Sequence, residues 1–136
     1  MITQDPIIEF PATSVGYVAG DPERPIHEQA PVAFRTLEAS LPTLRGRRFY
    51  AVLVGPEYRA CVALPTENGS ADPMLSRWVI PGGRYARRKI RDYHTLVPAI
   101  GKHFAEMRCR ADYDPSRPCL EAYRSQHDMY VMVPVR

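Results

Sequence analysis

The chain alternates between short apolar stretches and proline- or glycine-rich breaks, a pattern typical of many short elements. Alternating apolar and polar positions, rich in aromatic and β-branched residues, predict six strands. They cover residues 7–18, 48–54, 58–64, 78–90, 118–123 and 129–135. We expect the first strand to break at Pro11, because an interior proline removes a ladder donor. We expect a β-bulge in the fourth strand at Pro81-Gly82-Gly83, where two glycines permit positive φ.

Two stretches repeat apolar residues at helical spacing, and each predicts a helix with one apolar face. The first face comprises Ala30, Ala33, Phe34, Leu37 and Leu41. We expect this helix to begin near Pro31, since proline suits the first helical position, and to end at Pro42. The second face comprises Leu96, Ile100, Phe104 and Met107. Pro98 fits this helix only within the first turn, so we expect the helix to begin close to Thr95.

The order strand–helix–strand–strand occurs twice, over about residues 6–66 and 75–136, with a polar stretch at 66–73 between the two repeats. Helices with one apolar face each are expected to cover one face of an antiparallel sheet and to leave the other face free. The predicted fold class is therefore α+β, with duplicated strand–helix–strand–strand units that form an antiparallel sheet. Helices lie on one face of this sheet and a ligand groove on the other, within a single domain spanning 1–136.

Composition excludes several classes of protein. The length of 136 residues fits one domain, and 45% hydrophobic with 24% charged residues is ordinary for a globular protein. A net charge of +3 is too weak to indicate a nucleic-acid partner. The N-terminus lacks the features of a signal peptide, and no apolar run reaches the roughly 20 residues that span a bilayer. Three cysteines at no metal-ligand spacing indicate reduced thiols in a cytoplasmic protein and no metal site. No cofactor is expected. The oligomeric state stays open.

The carboxylate of Glu121 interrupts an otherwise strand-like stretch. By alternation it shares a face with Cys119 and Tyr123, so Glu121 faces the groove if Leu120 faces the helices. An unpaired buried carboxylate costs several kcal/mol, so it usually has a partner, a ligand or a raised pKa. In the alternative interpretation, Glu121 is solvated and paired with an arginine such as Arg84 or Arg124.

Tyrosine is the most frequent aromatic residue, with eight in the chain. Its apolar ring and its hydroxyl suit a ligand groove. The groove candidates are Tyr17, Tyr50, Tyr85 and Tyr123, of which Tyr17 and Tyr85 occupy equivalent places in the two repeats. Alternatively, these tyrosines are present simply because they favour strands.

Four motifs follow one another over about residues 77–136: Gly82-Gly83 with Tyr85, a helix, Glu121-Ala122-Tyr123, and a strand ending Pro134-Val135. In order and spacing they resemble the GyrI-like family, whose domain also serves as the effector-binding domain of AraC-type and MerR-type multidrug-responsive regulators. The resemblance implies a fold that binds organic molecules, often aromatic or cationic, in a groove. It places Glu121 at the groove base, with Tyr123 and Tyr85 as the matched tyrosines.

The chain also departs from the family pattern. No DNA-binding helical region accompanies the motifs, so a complete regulator is not expected. Phe104 stands in the second helix, where the family often has tryptophan, and Asp128 stands near the position of a strand glutamate. These departures leave the expected fold intact and the ligand open.

Three functions follow as hypotheses. The first is a stand-alone protein that binds a small drug-like molecule through Glu121, Tyr123, Tyr85, Tyr50, Tyr17 and Phe104. The second is implied by family members that hydrolyse cyclopropane-containing compounds: a hydrolase of electrophilic molecules in which Glu121 activates water as general base and Tyr85 assists. The third is a protein that binds another protein and modulates it, as the gyrase-modulating members of the family do.

Overall fold

The computed structural model describes residues 5–41, 43–64, 75–92, 97–125 and 127–136. Within these residues the chain forms eight strands and two helices. The strands are β1 (Ile7–Phe10), β2 (Thr13–Ala19), β3 (Phe49–Val54), β4 (Glu57–Ala63), β5 (Ser76–Ile80), β6 (Gly83–Arg91), β7 (Leu120–Tyr123) and β8 (Asp128–Pro134). The helices are α1 (Ile26–Ala39) and α2 (Val97–Met107). All described strand pairs are antiparallel, which confirms the predicted α+β class.

The chain divides into two compact units. The middle unit is Thr13–Ile80, and the terminal unit joins the N-terminal segment, up to Ala12, to Pro81–Arg136. Strands follow the order β3-β4-β2-β5 in the middle unit and β7-β8-β6-β1 in the terminal unit. The two orders correspond element by element. Each unit therefore contains one strand–helix–strand–strand repeat, and an edge strand that comes from outside the repeat completes its sheet.

Helix α1 packs against β4 and β2 of the middle unit. Its buried side chains are Gln29, Ala33 and Leu37, of which the two apolar ones belong to the predicted face. Phe34, also on that face, meets the ring of Tyr58 edge-on, with the ring centroids 6.2 Å apart. The amphipathic spacing of α1 therefore decides which face of the middle sheet the helix covers.

The start of α1 differs from the prediction. The helix begins at Ile26, directly after Pro25, rather than near Pro31, which lies inside it. Pro31 is exposed, so water can satisfy the helix carbonyl that has lost its donor. The helix ends at Ala39 with Ser40 as its C-cap, so Leu41 lies beyond the helix and the predicted extension to Pro42 is wrong. The predicted start of the second helix near Thr95 and the boundary at 66–73 lie outside the described residues.

The predicted bulge at the glycine pair is instead a separation between two strands. β5 ends at Ile80 and pairs with β2, whereas β6 begins at Gly83 and pairs with β1 and β8. The requirement for glycine is nevertheless confirmed. Gly83 has φ of +135°, and a Cβ on Gly82 would lie 2.4 Å from the backbone nitrogen of Ala12. The break in pairing explains why the glycines stand here.

Gln29 is a buried polar residue that joins α1 to the start of β4. Only 2% of it is exposed. Its Oε1 accepts the backbone N–H of Tyr58 at 3.0 Å, and its Nε2 donates to the carbonyls of Arg24 at 2.7 Å and Pro56 at 3.2 Å. The oxygen and the nitrogen of the Gln29 side-chain amide are thus both hydrogen-bonded to the backbone, as is usual for buried polar groups.

We expect Gln29→Leu to lower the free energy of unfolding by about 2 kcal/mol, because it leaves three backbone groups without their partner. Urea unfolding at fixed pH measures the change. Glu38→Leu on the exposed side of α1 is the matched control and is expected to shift stability by less than about 0.5 kcal/mol. Equal effects of the two substitutions would show that the amide does not join helix and strand.

Helix α2 packs against β8 of the terminal unit. Together they enclose a cluster of buried residues: Ala86, Ile90, Met107, Met129, Val131, Val133 and Val135. Ile100 and Phe104 of α2 pack against this cluster, as the predicted apolar face requires. Pro98 is the second residue of the described part of α2. We call the cluster and the residues packed against it the α2 core.

Candidate functional site

Glu121 of β7 lies on the face of the terminal sheet on which α2 packs against β8. It pairs across the strands with Val131, a member of the α2 core, and paired residues of an antiparallel sheet project to the same side. The flanking residues Cys119 and Tyr123 also pack against that core. The prediction that these three residues share a face is supported by this packing.

The predicted direction of that face is wrong. Leu120 pairs with Met132 and is fully buried on the side away from α2, so Glu121 does not point to the helix-free face. The reason is that the sheet next to Glu121 is buried on both faces, by Leu120 of β7 on one and by Val131 of β8 on the other. Leu120 and Val131 are both 0% exposed, so the hydrophobic pattern alone did not distinguish the helix-covered face from the other one.

The carboxylate of Glu121 makes no hydrogen bond or ion pair with any residue in the described ranges. Of the arginines considered as partners, Arg84 donates instead to the carbonyl of Arg136 at 2.8 Å, and Arg124 is exposed in the turn after β7. Burial, which penalises the charged form, raises the pKa of Glu121 from 4.5 to about 7. Near neutral pH, Glu121 is therefore present in both protonation states.

Aromatic side chains of the terminal unit surround this face. Phe104 from α2, Tyr123 from β7 and Tyr113 from the preceding loop are partly buried and pack against the α2 core. Tyr113 was not a sequence candidate, since it lies in a loop, but its backbone bridges to Val135 beyond the end of β8. The structure thus gathers two predicted site residues, Phe104 and Tyr123, on the face that carries Glu121.

Tyr85 lies on the opposite face of the terminal sheet. It pairs with Pro134, three residues from Val131, and alternation places these two positions on opposite sides. Tyr85 is 0% exposed, its hydroxyl donates to the carbonyl of Pro81 at 2.7 Å, and its ring meets Phe10 edge-on at 5.6 Å. Tyr85 and Glu121 therefore do not share one groove as predicted, and Tyr85 is a packing residue.

The other two predicted tyrosines belong to the middle unit. Tyr50 on β3 and Tyr17 on β2 both align with Cys61 of β4, so they project from the sheet face opposite the one that carries Tyr58 and α1. Tyr50 is buried, whereas Tyr17 is partly exposed and lies beside Trp78, with ring centroids 6.4 Å apart. In the middle unit, both tyrosines are thus on the helix-free face, as predicted.

Two further observations concern the described residues. No group of three or more histidine, cysteine, aspartate and glutamate side chains is placed to hold a metal ion within the described ranges. In the same part of the chain, neither helix is long and apolar enough to cross a lipid bilayer.

The fold resembles those of several solved proteins, although neither a family model nor a curated protein matches the chain. An integron cassette protein from the mobile metagenome of Vibrio cholerae superimposes with a TM-score of 0.73 at 12% identity, covering 98% of this chain and 97% of that one. SAV2435, solved with tetraphenylphosphonium bound, gives 0.62 at 11% identity, with 98% and 94% covered. A proposed transcription regulation protein of Staphylococcus aureus MU50 gives 0.62 at 8% identity, with 98% and 99% covered. At these identities the likeness shows the fold alone. One of the proteins with this fold, SAV2435, was solved with a small organic molecule bound.

Proposed function

We propose that the terminal unit binds a small organic cation at Glu121. The observation that carries this proposal is the partly buried carboxylate on the α2-covered face, which has no partner among the described residues. A carboxylate that is desolvated without a partner destabilises the folded protein, and such groups are concentrated at functional sites. A cationic ligand supplies the missing charge and is attracted most strongly where water is scarce.

The neighbouring aromatic residues support a ligand with both charge and apolar surface. Phe104 and Tyr123 present rings on the same face as Glu121. An aromatic face attracts a cation by about 0.5–2 kcal/mol in addition to the apolar area that binding buries. Tetraphenylphosphonium, the ligand of the structurally similar SAV2435, combines a cation with aromatic surface and is a suitable probe.

We expect Glu121→Gln to weaken tetraphenylphosphonium binding at least tenfold at pH 8, measured by isothermal titration calorimetry. Affinity of the parent protein should rise about tenfold between pH 5.5 and pH 8.5, because a cation binds the ionised carboxylate and the pKa of Glu121 lies at about 7. Glu9→Gln, an exposed carboxylate on β1 of the same unit, is the control and should bind as the parent does. Equal affinities of parent and Glu121→Gln would refute the charge role.

Hydrolysis is a second candidate function, favoured by the pKa of about 7 at Glu121, which is close to ideal for a general base near neutral pH. The predicted assisting residue, Tyr85, lies on the opposite sheet face and cannot take that role. Turnover of an electrophilic substrate that is lost in Glu121→Gln while binding persists would favour the enzyme over the binding protein.

A further inference from the structure

Arg59 occupies an unusual position on the helix-free face of the middle unit. It lies on β4 opposite Ala19, two residues from the pair Tyr17–Cys61, and so projects to the same side as Tyr17. Trp78 on the neighbouring β5 pairs with Val15, also on that side. Helix α1 covers the other side of the sheet, where Phe34 contacts Tyr58.

The guanidinium of Arg59 is held between two aromatic rings. Its central carbon lies 4.5 Å from the ring centroid of Tyr17 and 4.7 Å from that of Trp78. The two rings stand at 75° to each other, so they form two walls of a corner rather than a parallel stack. Nε of Arg59 donates to Oε1 of Glu57 at 2.7 Å, which fixes the guanidinium plane. Only 17% of the Arg59 side chain is exposed.

Glu57 uses one of the five donors that a guanidinium offers. Within the described ranges, neither Nη of Arg59 has an acceptor, and neither is shut off from solvent. Arg88 of the terminal unit is different, because Nε and Nη2 together bind both oxygens of Asp5 at 2.8 Å. Among the residues that the structure describes, Arg59 thus presents a fixed pair of Nη groups with no acceptor. An arginine ordered in advance loses little conformational freedom when it binds a carboxylate bidentately.

We propose that Arg59, Tyr17 and Trp78 form a second ligand site that takes an aromatic carboxylate. The two Nη groups bind the carboxylate oxygens, and the exposed edges of the two aromatic side chains contact the ring of the ligand. Glu57 neutralises part of the positive charge, which limits the affinity. The aromatic carboxylate proposed for this site is an anion, whereas the ligand proposed for Glu121 is a cation. The two sites therefore take different ligands, and the Arg59 site does not depend on the proposed function.

Trp78 allows a direct test because it is the chain's one tryptophan. The probe is 4-nitrobenzoate, which quenches indole fluorescence, compared with the neutral 4-nitrobenzamide and the cationic 4-nitrobenzylammonium. We expect saturable quenching by the carboxylate, with a dissociation constant at least tenfold lower than those of the other two compounds. Free N-acetyltryptophanamide corrects for collisional quenching. Equal quenching by all three probes, or tighter binding of the cation, would overturn the proposal.

Three variants connect the binding to the residues. Arg59→Gln should weaken 4-nitrobenzoate at least tenfold. Arg87→Gln is the matched control, because Arg87 also stacks on a tyrosine, Tyr130 at 4.3 Å, but belongs to the terminal unit; it should bind as the parent does. Glu57→Gln keeps an acceptor for Nε but removes the negative charge, so it should strengthen binding several-fold. If Glu57→Gln weakens 4-nitrobenzoate, or Arg59→Gln leaves it unchanged, the site is not an anion site.

Discussion

Glu121→Gln is expected to make the protein more stable by about 2–3 kcal/mol at pH 8, although it removes the residue on which the proposed function depends. The folded protein holds this carboxyl in surroundings that raise its pKa from 4.5 to about 7. At pH 8 the folded state must therefore keep a poorly solvated charge, and glutamine has none. Functional sites often lower the stability of the folded protein in this way.

The sign of the pH dependence follows from the same shift. Between pH 4.5 and about 7, the unfolded chain has lost the Glu121 proton and the folded protein retains it. Stability of the parent therefore falls as pH rises through this window and then levels off, since the unfolded state binds fewer protons. The stability difference between Glu121→Gln and the parent should widen by about 2 kcal/mol from pH 5 to pH 8.

Urea unfolding of both proteins at pH 5, 6, 7 and 8 measures this difference, and contributions from all other titrating groups cancel in it. Glu9→Gln, exposed on β1, is the control and should change stability by less than about 0.5 kcal/mol at each pH. A constant difference for Glu121→Gln would mean that its carboxyl is well solvated in the folded protein.

Arg117→Met is expected to lower the free energy of unfolding by about 3 kcal/mol, since Arg117 bonds to three backbone carbonyls in the terminal unit. Its Nη2 donates to the carbonyls of Val135 at 2.8 Å and Arg84 at 3.2 Å, and its Nη1 donates to that of Gly82 at 3.4 Å. Its guanidinium also lies 4.9 Å from the ring centroid of Tyr85. Arg117 therefore joins the start of β6 to the end of the chain beyond β8.

Thermal or urea unfolding measures the loss, with Arg124→Met in the exposed turn as control and little change expected. Arg117→Lys should recover less than half of the loss, because an ammonium cannot reach several carbonyls in one plane. Gly83→Ala should destabilise in the same direction, because its Cβ would lie 2.6 Å from Nη1 of Arg117 in a backbone with φ of +135°. A small effect of Arg117→Met would show that solvent replaces these bonds without cost.

The local elements of this fold follow from the order of the residues, whereas the pairing of its edge strands does not. The break at Pro11 and the apolar spacing of Ala33 and Leu37 are consequences of near neighbours in sequence. The pairing of β1 with β6 joins Ile7 to Ala86. No local pattern specifies such a partner, because any strand edge offers the same backbone donors and acceptors.

The two candidate sites likewise combine features that the local sequence predicts with features that depend on strand pairing. That Glu121 and Tyr123 share one face, and that Phe104 lies on the apolar face of its helix, could be predicted, because alternation and helical spacing fix these relations. The side to which Glu121 points could not, because Leu120 and the neighbouring Val131 of β8 are buried on opposite faces of the sheet. Arg59 was not a candidate, since its position between Tyr17 and Trp78 depends on the register of three strands that are distant in sequence.

The central claim is that Glu121, a carboxylate with no partner among the described residues, binds a cation in its ionised form. It is tested most directly by following the carboxyl carbon of ¹³C-labelled Glu121 by NMR across pH, with and without tetraphenylphosphonium, assigned by comparison with Glu121→Gln. The account predicts a titration midpoint near 7 in the free protein and a midpoint at least one unit lower with the ligand. A midpoint near 4.5 in the free protein, or one that the ligand leaves in place, would contradict it.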